Sequence, residues 1–295
     1  MRRPELAAAT VIVPTRDRHE QLRGCLEALA ALDYPRERLE VVVVDDAGGR
    51  EPLEPLLGAH RESLQLQLLS AGGRGPAAAR NAGIAAAGGE LLAFTDDDCR
   101  PEPGWLAALA RAIGGRERIA GGRTVNALTG NRFSSASQAI TDEVYAHYNA
   151  EPQRAGFLAS NNLAGPAAAF ERLGGFDERF ALAAGEDRDL CTRWLEQGGE
   201  LVYERAAVVR HAHQLGGIGF WRQHYGYGRG TYVQRRLRAD RGAGFELAPS
   251  ASSGILSAAA KRAVAERRPS RLALLGLWQL ANAAGFAREA VGRKR

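Results

Sequence analysis

The chain has 295 residues, 45% of them hydrophobic and 25% charged. That balance excludes a disordered or collagen-like polymer and suits one large α/β domain with additions. Its 39 Lys and Arg against 34 Asp and Glu leave a net charge of +5, which fits phosphate-bearing ligands or an anionic membrane surface without choosing between them. Three widely spaced cysteines, Cys25, Cys99 and Cys191, exclude a disulfide scaffold, and reduced thiols in a cytoplasmic protein are expected. No run reaches the ~20 apolar residues of a membrane-spanning helix. The apolar run 7–13 meets Pro14, Arg16 and Asp17 at once and does not read as a secretory signal.

The first half alternates strand and helix patterns. Thr10-Val11-Ile12-Val13 predicts a buried strand stopped by Pro14. Leu22, Cys25, Leu26, Leu29 and Leu32 follow at helical spacing. The apolar run 39–44 reads as a central parallel strand ending in Asp45-Asp46. Residues 64–69 alternate as a strand, and the Ala-rich stretch 77–87 predicts a helix closed by Gly88-Gly89. Leu91-Leu92-Ala93-Phe94 is a fourth strand running into Thr95-Asp96-Asp97-Asp98, and Trp105, Leu109 and Ile113 mark another helix. This alternation predicts an open, mostly parallel sheet with helices on both faces. Ligands of such sheets sit beyond the carboxyl ends of the strands, where this chain gathers its acidic residues.

The second half is less regular. Residues 123–149 are polar and mixed and are expected to cover a cleft. A helix is predicted over 187–197 and a strand over 201–209, ending at Arg210-His211-Ala212-His213. Residues 216–219 read as flexible, and 220–238 as a basic, aromatic helix weakened by Gly226, Gly228 and Gly230. A Gly/Ser/Pro linker over 241–253 precedes basic amphipathic helices. The expected organisation is therefore a domain over 1–240 and a helical extension over 241–295.

Asp96-Asp97-Asp98 places three mutually repelling carboxylates after a buried strand. A divalent cation would compensate them, with Asp96 and Asp98 on one side of an extended segment; the alternative is a solvated acidic loop. Asp45-Asp46 suits a ribose hydroxyl or base N–H, or else an Asx turn. Gly72-Gly73-Arg74-Gly75-Pro76 opens a helix and offers free N–H groups to phosphate, or is simply a capping turn. Arg80 in that helix would pair with a phosphate or stack on a base. Gly185-Glu186-Asp187-Arg188-Asp189 offers a general base, although acidic residues at a helix start are favoured by the macrodipole alone. His211 and His213 are further candidate ligands of a metal or a phosphate.

Taken in order, these pieces resemble a family 2 glycosyltransferase with the GT-A fold, over residues 9–236. The resemblance is carried by Val11-Ile12-Val13-Pro14-Thr15-Arg16, Val43-Val44-Asp45-Asp46 and the run from Gly75 through Arg80-Asn81-Ala82-Gly83. It continues through Gly89-Glu90-Leu91-Leu92-Ala93-Phe94-Thr95-Asp96-Asp97-Asp98, Leu173-Gly174-Gly175-Phe176-Asp177-Glu178 and Gly185-Glu186-Asp187-Arg188-Asp189-Leu190. It implies a nucleotide pocket lined by Pro14, Thr15 and Arg16, with Asp46 (Asp45 second) on the base and Arg80 near base and phosphate. Asp96 and Asp98 match the Asp-x-Asp acids, Asp96 nearer the ribose with Asp97 beside it and Asp98 on Mn²⁺ or Mg²⁺. Asp187 matches the catalytic base with Glu186 next to it, and His211 a late metal or diphosphate position.

The resemblance also implies inverting transfer of one sugar from a UDP-, dTDP- or GDP-sugar to a glycan or lipid-linked acceptor. Asn161, Asn162, Glu186 and Trp221 are expected on the acceptor side, since amides and aromatics such as these, Phe157 and Tyr225 suit sugar hydroxyls and faces; the alternative for the amides and aromatics is a place in the core. The Gln-x-x-Arg-Trp motif of processive synthases is missing, because Trp221-Arg222-Gln223-His224-Tyr225 has another order. The basic tail is read as resting on the inner membrane or packing on the domain or a second subunit. A sugar nucleotidyltransferase would open with a Gly-rich basic loop where Pro14-Thr15-Arg16-Asp17 stands. A binding module without turnover remains the non-enzymatic rival, and no recognised nucleic-acid motif accompanies the basic stretch 222–241.

Overall fold

The valine-rich runs form the centre of one eight-stranded sheet. The computed structural model describes residues 6–47, 52–180, 182, 184–243, 252–266 and 269–292. In chain order the strands are β1 (Ala9–Thr15), β2 (Leu39–Asp45), β3 (Gln65–Ser70), β4 (Leu91–Phe94), β5 (Cys99–Pro101), β6 (Arg118–Asn126), β7 (Leu163–Pro166) and β8 (Glu200–His211). The helices are α1 (His19–Ala30), α2 (Glu54–Gly58), α3 (Pro76–Ala86), α4 (Trp105–Ile113), α5 (Arg132–Tyr148), α6 (Ala167–Leu173), α7 (Glu186–Glu196), α8 (Gly217–Arg238), α9 (Ser252–Ala265) and α10 (Pro269–Gly292).

The strand order is β3-β2-β1-β4-β7-β6-β8-β5. β3, β2, β1 and β4 run parallel, as do β6 and β8, while β7 and β5 run against their neighbours. The expected mostly parallel sheet is thus present, with two reversed strands. Alternate residues feed two cores, as the two-residue strand period requires. Val11, Val13, Val41, Val43 and Ala93 pack with Leu22, Leu26, Trp105 and Leu109 of α1 and α4. Ile12, Val42, Val44, Leu92 and Phe94 pack with Ala77, Ala79, Phe170, Leu190 and Trp194 of α3, α6 and α7. Burial on both faces is why these strands read as continuous apolar runs rather than alternating ones.

Two expectations need correction, while residues 123–149 do line the cleft, through Ile140, Thr141, Val144, Tyr145 and Tyr148. That stretch holds the end of β6 and the whole of α5, which Asn131 caps by accepting from the backbone N–H groups of Phe133 and Ser134. The supposedly flexible residues 216–219 run into the start of α8. Two of its glycines admit neighbouring backbone: a Cβ at Gly228 would collide with the Asn282 carbonyl of α10 and one at Gly230 with the Ala184 carbonyl, and across the same crossing Gly285 of α10 makes room for the Tyr225 carbonyl of α8. Finally, Asp96–Asp98 is a turn, closed by Cys99 N–H donating to Asp96 O at 3.0 Å, and not an extended segment.

The C-terminal helices cover the α5 and α8 side of the domain. Ile255, Ala259 and Ala263 of α9 and Leu275 and Trp278 of α10 join Ala136, Ile140, Leu215 and Phe220 in a third core. Residues 244–251 of the expected linker lie outside the described residues. Among the described residues, no helix is long and apolar enough to cross a membrane.

Candidate active site

The carboxyl ends of β1, β2 and β4 share one edge, and β8 brings its own end to the same place. β5 pairs with β8 so that Cys99 lies opposite His211, and Ala212 N–H donates to Asp98 O at 2.8 Å. This pairing sets His211 Nε2 3.1 Å from Asp98 Oδ1 and His213 Nδ1 4.0 Å from Asp98 Oδ2. The three side chains offer ligand atoms within 4.8 Å of one another. Burial works to raise the Asp98 pKa, but His211, His213 and Arg18 outweigh it and hold the carboxyl well below its usual range. Burial opposes the charge on His211 as well; Asp98 overcomes it and raises the imidazole. His213 is lowered, chiefly by burial.

Asp97 points away from this triad. Its Oδ2 accepts from Thr15 Oγ1 at 2.8 Å and its Oδ1 from Arg18 Nη1 at 3.1 Å, and the same guanidinium reaches Asp98 Oδ2 at 3.2 Å. Burial pushes Asp97 up to about 6, against the pull of Arg18. Arg18 escaped the sequence reading. The signal was the question of what neutralises three adjacent aspartates, since a lone Arg in the loop after a strand carries no motif.

Just after β2, Asp46 is 4% exposed and accepts Gly75 N–H with both oxygens, at 3.1 and 3.2 Å. It therefore ties down the glycine turn before α3, with Arg16 Nη1 3.6 Å away. Asp45 Oδ1 instead accepts Ala47 N–H at 2.7 Å, the Asx turn weighed above, and is not among the residues lining the cleft.

Across the cleft, α7 starts at Gly185, whose φ of +94° suits a residue without Cβ. Glu186 Oε1 accepts Arg80 Nη1 at 2.9 Å, and Arg80 Nη2 donates to Asp96 Oδ1 at 2.8 Å. Burial raises Glu186, helped by the neighbouring Asp187 charge and resisted by Arg80. Asp187 is also raised by burial, although its Oδ1 accepts Arg188 N–H at 2.7 Å. A carboxylate lifted this way is a better proton acceptor than an exposed one. Arg188, another unexpected neighbour, lies 4.5 Å from the ring centroids of both Tyr148 and Phe157.

All these elements open on one cleft of ≈1610 Å³ lined by Pro14, Thr15, Arg16, Arg18, Asp46, Arg80, Asp96–Asp98, Asn161, Glu186, Asp187, His211 and His213, among others. Typical small-molecule pockets hold ~300–1,000 Å³, so two substrates have room here. Two expected acceptor-side residues do not reach it. Asn162 is fully buried, its Oδ1 accepting Trp105 Nε1–H at 2.8 Å and its Nδ2 donating to Ala207 O at 3.1 Å. It is a core amide. Trp221 falls on another face of α8 from Gly219, Arg222, Gln223 and Gly226, which line the cleft, because successive helical residues are turned by about 100°.

The profile described as "Glycosyl transferase family 2" matches residues 10–173. The pre-mycofactocin glycosyltransferase of Mycobacterium tuberculosis is 31% identical over 218 residues, 72% of this chain and 44% of the relative. Glycosyltransferase AglE of Haloferax volcanii is 33% identical over 112 residues, 37% of this chain and 36% of AglE. The chain thus spans less than half the length of these curated relatives. Among solved structures, the mannosyltransferase PcManGT from Pyrobaculum calidifontis, in complex with GDP-Man and Mn²⁺, superposes with a TM-score of 0.60 at 22% identity. That likeness covers 99% of this chain and 81% of PcManGT. S. aureus TarS 1-349 gives a TM-score of 0.56 at 17% identity, covering 97% and 91%. With the fold and the ordered acidic motifs agreeing with a profile that spans more than half of its residues, the chain belongs to glycosyl transferase family 2.

Proposed function

We propose that this chain transfers a single sugar from a nucleotide-diphosphate sugar to an acceptor hydroxyl, with inversion at the anomeric carbon. The observation that carries the reading is the convergence of Asp98, His211 and His213 with the raised carboxylate of Asp187 in one cleft. Pro14, Thr15, Arg16 and Asp46 would bound the nucleotide pocket, and Asp96 would face the ribose. The PcManGT and TarS likenesses support a GT-A scaffold, and donors of the UDP, GDP or dTDP class suit the edge where the acids meet.

The donor set of one carboxylate and two imidazoles fits a divalent cation. Imidazole nitrogen favours Mn²⁺ over Mg²⁺, which prefers oxygen. Held by Asp98, His211 and His213, that ion would neutralise the diphosphate leaving group. The chain's own residues supply the rest. Asp187 takes the proton of the acceptor hydroxyl as its oxygen attacks the anomeric carbon from the far side. Direct displacement needs one base and no protein nucleophile; a glycoside hydrolase would need two facing carboxylates. Burial beside Glu186 keeps Asp187 basic enough for the task.

The acceptor, a glycan or lipid-linked alcohol, would enter past Asn161 and Arg188. In this reading residues 1–240 form the catalytic unit and 241–295 a supporting tail. Exposed Val264, Leu280 and Val291 on α9 and α10 support a tail that also rests on an anionic membrane from the cytoplasmic side.

The test is nucleotide release from a panel of UDP-, GDP- and dTDP-sugars with Mn²⁺ and candidate acceptors. Chelator-sensitive release that disappears in Asp187→Asn, with nucleotide binding retained, is the expected result. Undiminished turnover in Asp187→Asn rejects the base; binding with no turnover across all donors and acceptors favours a binding module.

A further inference from the structure

Arg80 is 2% exposed on α3, and its terminal nitrogens are directed at protein carboxylates. Nη1 is bonded to Glu186 at 2.9 Å and Nη2 to Asp96 at 2.8 Å, and the guanidinium carbon lies 5.5 Å from the centroid of the Phe176 ring. The two acids belong to different parts of the fold. Asp96 follows β4 at the donor edge, and Glu186 opens α7 immediately before Asp187. One guanidinium therefore joins the donor side of the cleft to the helix that carries the base.

As a means of stabilising the fold this arrangement is poor. Two carboxylates around one buried cation leave a net negative charge, and both Arg80 Nε and Glu186 Oε2 are buried without a hydrogen-bond partner. Desolvation of buried ions commonly cancels their mutual attraction. What the triad does supply is fixed geometry. A planar fork reaching two acids in separate directions restrains distance and orientation together, which an ammonium cannot do.

We propose that Arg80 is a positioning residue that does not read the nucleotide: it tethers Asp96 to the start of α7, so that Asp187 is held at a set distance from the donor. This departs from the nucleotide contact implied for Arg80 by the family resemblance. It rests on the reading of Asp187 as the base. Asp96 uses Oδ1 for the tether, and its side chain remains 31% exposed and lines the cleft.

The experiment uses the full chain with Arg80→Gln, Arg80→Lys, Glu186→Gln and the double variant Arg80→Gln/Glu186→Gln. For each, circular dichroism checks folding. Calorimetry gives the Kd of whichever of UDP, GDP or dTDP the wild type binds with Mn²⁺, and nucleotide release gives kcat on the matching sugar donor. The tether predicts that Arg80→Gln changes Kd by less than fivefold and lowers kcat at least tenfold. Arg80→Lys, able to hold one acid at a time, lies between it and wild type. Adding Arg80→Gln to Glu186→Gln lowers kcat less than threefold further, because the amide has already exchanged the charge-assisted bond to Arg80 for a weaker neutral one.

A larger change in Kd, a smaller loss in kcat, or full additivity of the two substitutions overturns the proposal. Should Arg80→Gln fail to fold, Arg80→Lys and Glu186→Gln decide it: each must lower kcat while Kd stays within fivefold. Turnover persisting in Asp187→Asn would remove the base and not the tether. Nucleotide affinity lost in the Arg80 variants would remove the tether and leave the base.

Discussion

His224 offers a measurable test of how the cleft wall is built. It sits on α8 at 1% exposure, among the rings of Phe220 at 4.3 Å, Tyr227 at 5.5 Å and Trp278 of α10 at 6.5 Å. Neither ring nitrogen has a hydrogen-bond partner. Burial, with a smaller contribution from His213, pushes its pKa down from 6.5 to about 4. The folded state therefore resists protonation that the unfolded chain accepts. Stability from this group is complete above about pH 6.5 and declines as the pH falls toward 4. Linkage over the interval from pH 7 to pH 5 gives a loss of about 2 kcal/mol from His224 alone.

Replacing His224 by Leu removes both the titration and two unsatisfied buried nitrogens. Urea unfolding followed by far-ultraviolet circular dichroism at pH 7 and pH 5 reads the effect. His224→Leu should be at least as stable as wild type at pH 7, since an unpaired buried polar group costs about 1–3 kcal/mol. Its advantage should grow by about 2 kcal/mol at pH 5. The difference between the two proteins cancels the contribution of other titrating groups. Equal pH slopes for the two would mean that this imidazole is solvated or partnered in solution, and the reasoning would be wrong.

Asp98→Ala should weaken Mn²⁺ binding, followed by electron paramagnetic resonance, at least as strongly as His211→Ala. Affinity within twofold of wild type in both would exclude the triad as the metal site. Asn162→Ala leaves Trp105 Nε1 and Ala207 O unpaired in the core and should cost about 2–4 kcal/mol. Nucleotide affinity of the folded fraction should stay unchanged, and calorimetry on that fraction would expose any direct ligand contact.

Where burial alone dictates the sequence, the fold was legible. β1, β2 and β4 are enclosed on both faces, so Val11–Val13, Val41–Val44 and Leu91–Phe94 stand out as unbroken apolar runs, and their acidic ends mark the cleft. β6 left no such trace. It carries Arg118 and Arg123, and its Gly121 and Gly122 are small because Leu158 and the Asn162 side chain press against them. That is a tertiary reason with no local periodicity. Glycines in α8 misled in the same way: they weaken the helix in isolation, but Gly228 permits the close crossing by α10 and Gly230 the approach of Ala184. Asn162 and Asn161 are adjacent in sequence yet one serves the core and the other the cleft, a distinction that chain order does not encode. The turn at Asp96–Asp98, rather than an extended segment, separates Asp97 from its neighbours and could be inferred only with Thr15 and Arg18 in place.

The pairing of Cys99 with His211 has an evolutionary corollary. The candidate metal ligands come from distant stretches of chain, but main-chain hydrogen bonding between two strands sets their relative position, independent of loop length. Drift in the connecting segments would leave that alignment untouched. A slip of one residue along the ladder would put Arg210 where His211 stands and turn the imidazole to the opposite face. Selection can therefore retune the ion by exchanging single side chains at 211 or 213, while any change in strand register is an all-or-nothing loss.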